Sequence, residues 1–398
     1  MSNTIEHRSQ LAVARRAAIE PFHVMDVWAA AAQRQRTHGD LVNLSAGQPA
    51  TPAPEPVRAA AKRAIAVDVL GYTVSVGIPE LRAAIAGYYQ RRYQLALTSE
   101  DVVVTTGSSG GFLLSFLAAF DVGDRVALAR PSYPCYRNIL TALGCEVIEL
   151  DCGPPTRFQP TVEILERANA QHGPLAGLIL ASPANPTGTV LDPDELARIA
   201  IWCERAGVQL ISDEIYHGIA YPGAPATSCA WQASREAIIV NSFSKYFSMT
   251  GWRLGWLLVP PRLYRAIDRL TGNFTVCPPA LPQQAALAAF DQASLAEVDG
   301  HVARYASNRE LLLHGLPRLG ITQLAPADGA FYIYADVNHL TDDSMAFCRE
   351  LLAATGVAVA PGVDFDPEHG HRFIRLSFAG FNHDIAEALH RLEGFLGG

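Results

Sequence analysis

The chain has 398 residues and a mass of 42.9 kDa, more than one simple hydrophobic core organises, so two domains, or a large domain with a smaller partner, are expected. Its composition, 49% hydrophobic and 18% charged with 9% aromatics, can fill a substantial core and argues against long-range disorder. A net charge of −8 with a pI near 5.8 argues against a nucleic-acid groove as the main function.

Met1–Gln10 carry no apolar leader segment, and no run of about 18 apolar residues occurs that could span a bilayer; a soluble, cytoplasmic protein is expected. Val24 to Arg34 reads as a helix. The alanine-rich stretch Val57–Ile65 reads as another, with Lys62 on its solvated face. Lys62 and Lys245 are the only lysines among 31 basic residues. The seven cysteines, Cys135, Cys145, Cys152, Cys203, Cys229, Cys277 and Cys348, are odd in number with no C-x-x-C pair and read as reduced thiols.

From about Val102 to Val259, short apolar runs alternate with helical patterns, as in a parallel sheet with helices on its faces. The predicted strands are Val102–Val104, Val126–Leu128, Leu178–Leu180, Val208–Ile211, Ile238–Val240 and Leu254–Val259. After the first run comes Thr106-Gly107-Ser108-Ser109-Gly110-Gly111 and then an apolar helical run. Glycines there allow close backbone approach, and helix-start amides with two hydroxyls suit a phosphate; an ordinary glycine-rich helix start is the plain alternative. The segment fits neither the Walker pattern nor the dinucleotide fingerprint, so ATP and NAD are not supported.

Polar groups follow the later runs at once: Asn185 after the third, Asp213 after the fourth, Ser242 and Lys245 after the fifth. Ligands of open α/β sheets bind beyond the carboxyl ends of the strands, so these groups should meet in one crevice. Ser182-Pro183-Ala184-Asn185-Pro186 holds two X-Pro bonds, which can be cis and would fix the Asn185 amide. Asp213, with Tyr216 three residues on, can keep a pyridine nitrogen protonated; a helix N-cap is the plain alternative. Lys245 is followed eight positions later by Arg253. An amine able to form an imine beside an arginine able to grip a phosphate is what pyridoxal phosphate asks for.

Beyond about Pro282 longer helices take over, with strands predicted at Ala330–Tyr334, Val357–Val359 and Arg372–Phe378. A smaller α+β domain is expected, the N-terminal segment packing with it. Arg375 alternates with apolar Ile374, Leu376 and Phe378, and a buried arginine normally meets an anion; a substrate carboxylate is one candidate and an internal salt bridge the other. His217 and the pair His369 and His371 lack a matching ligand set, so no metal is expected.

Together, S-P-A-N-P-T-G, S-D-E-I-Y, S-F-S-K and G-W-R-L-G-W in this order resemble the class I/II aminotransferases of fold type I, over about Val24 to Leu396. The resemblance implies a large pyridoxal-phosphate domain with a mostly parallel seven-stranded sheet over residues 41–281, and a small domain formed by 1–40 and 282–398. It implies that Lys245 holds the cofactor as an imine and moves the substrate's α-proton, that Asp213 pairs with the pyridine nitrogen, and that Asn185 and Tyr216 bind the ring's 3-oxygen. Ser108, Ser109, Ser242 and Arg253 would hold the phosphate, and Tyr133 would stack on the ring. Tyr72, in Gly71–Arg82, resembles the tyrosine that reaches the neighbouring subunit's phosphate, implying a homodimer with shared sites. Gly47 and Arg375, with Asn185, match positions that hold the α-carboxylate.

In one aspartate-type subgroup a lysine stands where this chain has Ser109, and burying a second carboxylate without a cation is costly. Apolar groups in Pro21–Met25 and Asn273–Pro278 fall where relatives line the substrate pocket. A neutral aliphatic donor, valine or alanine, with pyruvate or 2-oxoglutarate as acceptor, is therefore expected, in keeping with a bacterial subgroup that includes valine–pyruvate aminotransferases. Aspartate transamination to 2-oxoglutarate and β-elimination at a C–S bond are the alternatives. A regulator built on this fold is disfavoured, because about 40 residues before Leu41 are too few for a DNA-binding domain.

Overall fold

The computed structural model describes residues 13–397, so the expectation for Met1–Gln10 lies outside the described residues. Among the described residues there are twelve strands: β1 Val42–Asn43, β2 Val102–Thr105, β3 Arg125–Arg130, β4 Glu146–Asp151, β5 Gly177–Ala181, β6 Gln209–Asp213, β7 Ile238–Ser242, β8 Gly255–Leu258, β9 Tyr332–Asp336, β10 Val357–Ala358, β11 Ala360–Pro361 and β12 Phe373–Ser377. Seven of them form the central sheet, in the order β2-β8-β7-β6-β5-β3-β4. The ladders from β4 through β3, β5 and β6 to β7 are parallel, and β8 runs antiparallel to both β7 and β2. Six strands thus point one way, as the mostly parallel expectation requires.

The central strands β6 and β7 are buried along their whole length, because helices cover both faces; that is why they read as continuous apolar runs. The same pattern cannot give direction, so the reversal of β8 was not visible in Leu254–Val259. Strand β4 was missed for the opposite reason. It lies at the sheet edge, with Glu146 and Asp151 exposed and only Ile148 and Leu150 fully buried, and its pattern is too polar to stand out.

A second, antiparallel sheet has the order β11-β12-β9. The single strand expected at Val357–Val359 is divided: β10 pairs in parallel with β1, and β11 turns to pair with β12. The 27-residue helix Gln292–Arg318 and the helix Asn382–Leu396 pack together in this part of the chain. The N-terminal helix His23–His38, longer than the stretch predicted for it, lies against the helix Ser344–Thr355 and beside β11. Lys62 is exposed on the helix Glu55–Val67. Among the described residues no helix is long and apolar enough to cross a membrane.

Candidate active site

Because β5, β6 and β7 are parallel neighbours, the groups that follow them arrive at one edge of the sheet. Asn185 lies in the loop after β5, Asp213 is the last residue of β6, and Lys245 follows β7 in a tight turn. Both X-Pro bonds around Asn185 are cis. The second sheet faces the same place with Tyr332 at the start of β9 and Arg375 in mid-β12. Gly47, Ser108, Ser109, Tyr133, Asn185, Asp213, Tyr216, Lys245, Arg253 and Arg375 all line a single cleft.

Lys245 is half-buried, and its Nζ donates to the Gly47 carbonyl oxygen at 2.5 Å. Burial, then the cations Arg375 and Arg253, push the amine down to about 8, against a weaker pull upward from Asp213. A lysine so placed is a competent nucleophile near neutral pH. Asp213 is 4% exposed. Its Oδ2 accepts from the Tyr136 hydroxyl and its Oδ1 from the Ile215 amide at 3.0 Å. Burial pushes the carboxyl up to about 6, and the Tyr136 and Ile215 bonds resist that rise. The plain alternative is partly realised, since Asp213 does bond a local amide, but its other oxygen faces the cleft side chains.

The helix Gly107–Ala119 presents its first amides to the cleft, and Thr106 at its N-cap supplies no side-chain bond to them. Arg253 lies against them: its Nη1 donates to the Thr250 carbonyl at 2.9 Å and its Nη2 reaches Ser109 Oγ at 3.5 Å. Gly107 has φ +69°, which favours glycine, and a Cβ there would stand 2.7 Å from Arg253 Nη2 and push the guanidinium aside. Arg253 itself has φ +55°, the left-handed conformation in which it closes the short turn Thr250–Trp252. Amides, hydroxyls and a guanidinium around one point make an anion cradle.

Arg375 is 2% exposed. Its Nη1 donates to Asn185 Oδ1 at 2.9 Å and its Nη2 to the Ser45 carbonyl at 2.8 Å, and its Nε is buried without a partner. Its guanidinium also stacks 4.3 Å from the centre of the Tyr332 ring. No internal salt bridge satisfies it among the described residues, so the cleft holds a buried cation without a carboxylate partner. Tyr216 shares a hydrogen bond of 2.7 Å with Tyr332 through their hydroxyls.

Two predicted residues stand apart. Ser242 is 1% exposed, and its hydroxyl turns to Ser244 Oγ at 2.7 Å and the Leu254 carbonyl at 3.1 Å; Ser244 and Thr250 line the cleft there instead. Tyr72 is 88% exposed and outside the cleft. Beside it, Thr73 N–H meets Cys277 Sγ at 3.5 Å, so the predicted segment Asn273–Pro278 also lies outside the cleft, next to Tyr72. The cleft's apolar side comes from Phe22, Val24, Met25 and Trp28 at the start of the N-terminal helix. Sequence reasoning missed Tyr136, Tyr332, Ser244 and Thr250, and for the two tyrosines no local pattern separates them from core aromatics. His217 is buried, bonded through Nδ1 to the Tyr93 hydroxyl at 2.6 Å.

The sequence matches the family of class I and II aminotransferases over residues 39–392. It is 65% identical to the valine–pyruvate aminotransferase of Mycobacterium tuberculosis, over 96% of this chain and 98% of that protein. It is 35% identical to the aspartate/prephenate aminotransferase of Thermus thermophilus, over 96% and 97% of the two chains. Among solved structures, an aminotransferase from Mycobacterium tuberculosis superposes with a TM-score of 0.96 at 64% identity, covering 98% of this chain and 100% of the other.

Proposed function

The chain belongs to the class I and II aminotransferases, and on that premise we propose that it transfers the amino group of a neutral aliphatic amino acid, L-valine or L-alanine, to pyruvate or 2-oxoglutarate, with pyridoxal phosphate as cofactor. The family is generally dependent on that cofactor, and the residues here fit it: the glycine-floored cradle beside Arg253 suits its phosphate, and the buried Asp213 suits its ring nitrogen. The observation that carries the donor is the apolar wall of Phe22, Val24, Met25 and Trp28 facing the cleft; Ser109 lines the same cleft, at the position where the resemblance implies a lysine in one aspartate-type subgroup. The Mycobacterium tuberculosis relative is named for valine and pyruvate, while relatives named for aspartate are more distant.

Pyridoxal phosphate, when bound, supplies an aldehyde that condenses with amines and a ring that draws electrons from the substrate's Cα–H bond. Lys245 would hold it through its amine, and that amine, facing the substrate's Cα, would be the group that carries the α-proton. Asp213, held by Tyr136, would keep the ring nitrogen protonated; Asn185 and Tyr216 would hold the 3-oxygen, and Tyr133 would pack against the ring. Ser108, Ser109, Ser244, Thr250 and Arg253 would bind the phosphate, with Ser242 bracing Ser244 from behind. Arg375, Asn185 and the Gly47 loop take the α-carboxylate and so fix which Cα bond faces the lysine.

Residues 41–281 form the cofactor domain in this reading, and 1–40 with 282–398 the small domain that brings Arg375. The exposed apolar side chains Val69 and Val74, which flank Tyr72 in the chain, with Phe274 and Val276 of the segment that meets Thr73, form the face through which two copies pair, Tyr72 serving the partner's site. A cytoplasmic location suits the free cysteines. The test is to incubate the protein, saturated with pyridoxal phosphate, with L-valine and pyruvate, and to measure 3-methyl-2-oxobutanoate and alanine by mass spectrometry. Formation of both in equal amounts, with a kcat/KM for valine or alanine well above that for aspartate, is expected; a clear preference for aspartate overturns the donor assignment.

A further inference from the structure

The apolar wall stands on a helix whose start is not capped from within. Phe22, the N-cap residue of His23–His38, gives no side-chain bond, and first-turn amides need acceptors. They find them at the far end of the chain. His23 N–H donates to Asp364 Oδ1 at 2.8 Å and Val24 N–H to Asp364 Oδ2 at 2.6 Å, so one carboxylate, 2% exposed, caps the helix from outside. The bonds are charge-assisted and favoured by the positive end of the helix.

Asp364 and its neighbour also touch the rest of the site. The Phe365 ring centre lies 4.7 Å from the Arg375 guanidinium, and the Phe365 carbonyl accepts from the Ser132 amide at 3.0 Å, directly before Tyr133. Arg137 Nη2 reaches the Asp364 carbonyl at 3.3 Å. Phe22 in turn meets the Tyr133 ring edge-on, with centres 5.9 Å apart. The short turn at Asp364 therefore contacts the helix that bears the wall, the arginine offered to the carboxylate, and the loop that carries Tyr133.

We propose that Asp364 is a positioning residue for donor selectivity: it seats Phe22–Trp28 at the cleft, so that the wall facing the donor's side chain is in place only while this carboxylate holds the His23 and Val24 amides. The selectivity part rests on the donor reading above; the seating does not. The proposal predicts an unequal effect, because a branched side chain needs the wall and the methyl group of alanine scarcely uses it. Loosening the segment therefore raises KM for valine more than for alanine and leaves kcat with alanine nearly as it was.

Asp364→Asn keeps the shape but offers one acceptor oxygen and turns a donor toward the second amide. Amide hydrogen exchange, followed by mass spectrometry on cofactor-loaded protein, reads the seating: the peptide covering residues 20–28 should exchange about tenfold faster, with β7 unchanged. The ratio of kcat/KM for valine over alanine should fall by about tenfold, mostly through KM. Unchanged exchange at residues 20–28 overturns the proposal, as does an equal rise in every peptide, which would mark a general folding role. A loosened segment with an unchanged ratio also overturns it. If neither amino acid is a donor, the functional reading falls and the seating is still judged by exchange. Should Asp364→Asn fail to fold, His23→Pro removes one amide at the first helical position, where proline is tolerated and the extended Phe22 suits it; a smaller change in the same direction is expected, and none at all overturns the proposal.

Discussion

Lys245 Nζ and the Gly47 carbonyl oxygen lie 2.5 Å apart, which ties the amine that follows β7 to the loop that leads on from β1. Gly47 also packs close to Tyr332 and Arg375: a Cβ there would stand 2.6 Å from the Tyr332 hydroxyl and 3.9 Å from Arg375 Nη2. The proposed nucleophile and the proposed carboxylate anchor thus share one small residue as their common neighbour. A side chain at Gly47 would collide with the Tyr332 hydroxyl, on the ring against which the Arg375 guanidinium stacks.

The amine is held near pH 8 by burial and by two cations, and this has a definite sign. Its folded value lies below the ordinary 10.5, so between about pH 8 and 10.5 the unfolded chain binds more protons, and the cofactor-free protein gains stability as pH rises through that window. Covalent attachment of pyridoxal phosphate to cofactor-free protein should accelerate with pH and level off above about 8, as followed by absorbance after rapid mixing. A midpoint near 10 would refute the environment assigned to Lys245. Lys245→Ala should lower turnover by a factor of about 1,000 or more, and borohydride treatment followed by peptide mass analysis should find no label at position 245.

Tyr136 donates to Asp213 and holds its carboxyl lower than burial alone would. Asp213 must be ionised to receive a ring N–H, so cofactor binding should weaken as pH falls through about 6 in the free protein. Removing the hydroxyl in Tyr136→Phe removes a bond to the charged form, which raises the carboxyl further and shifts that acid limb upward. The pH dependence of the pyridoxal phosphate dissociation constant is the measurement. An unmoved acid limb would show that Tyr136 fills space and does not tune Asp213.

The parts of this site legible in the sequence are those where a polar residue interrupts an apolar strand pattern. Asn185, Asp213 and Lys245 follow buried strands directly, and Arg375 sits inside one, so the strand-end rule for parallel sheets brings them to one crevice. Tyr136 and Tyr332 were not legible, because an aromatic residue in an apolar context looks the same whether its hydroxyl meets a carboxylate or merely fills the core. Ser242 and Ser244 are two residues apart, and only the turn after β7 decides which faces the cleft. The direction of β8 and the capping of the N-terminal helix by Asp364 depend on partners far away in the chain, which local patterns do not encode.

Ser109 lies beside Arg253 at the mouth of the anion cradle, where the aspartate-type subgroup has lysine. Ser109→Lys supplies a cation for a side-chain carboxylate without touching the apolar wall. The specificity constant for L-aspartate should rise by about tenfold or more relative to L-valine, the scale of one charge-assisted bond. Competition assays with both donors present would read the ratio directly; no gain for aspartate would show that its distal carboxylate does not approach position 109.

Tyr72, 88% exposed among exposed apolar neighbours, has no place in its own cleft and serves the site only if a second copy presents it. Tyr72→Phe should weaken cofactor binding by about tenfold through loss of one hydrogen bond to a charged phosphate. Lys245→Ala carries an intact Tyr72 but lacks the lysine of the cleft. Refolded together, the two variants form mixed dimers in which one site combines Lys245 of the first copy with Tyr72 of the second. At a cofactor concentration too low to load Tyr72→Phe alone, the mixture should recover up to about a quarter of wild-type activity, since half the dimers are mixed and half of their sites are whole. Activity that never exceeds the sum of the separate variants would refute the shared site.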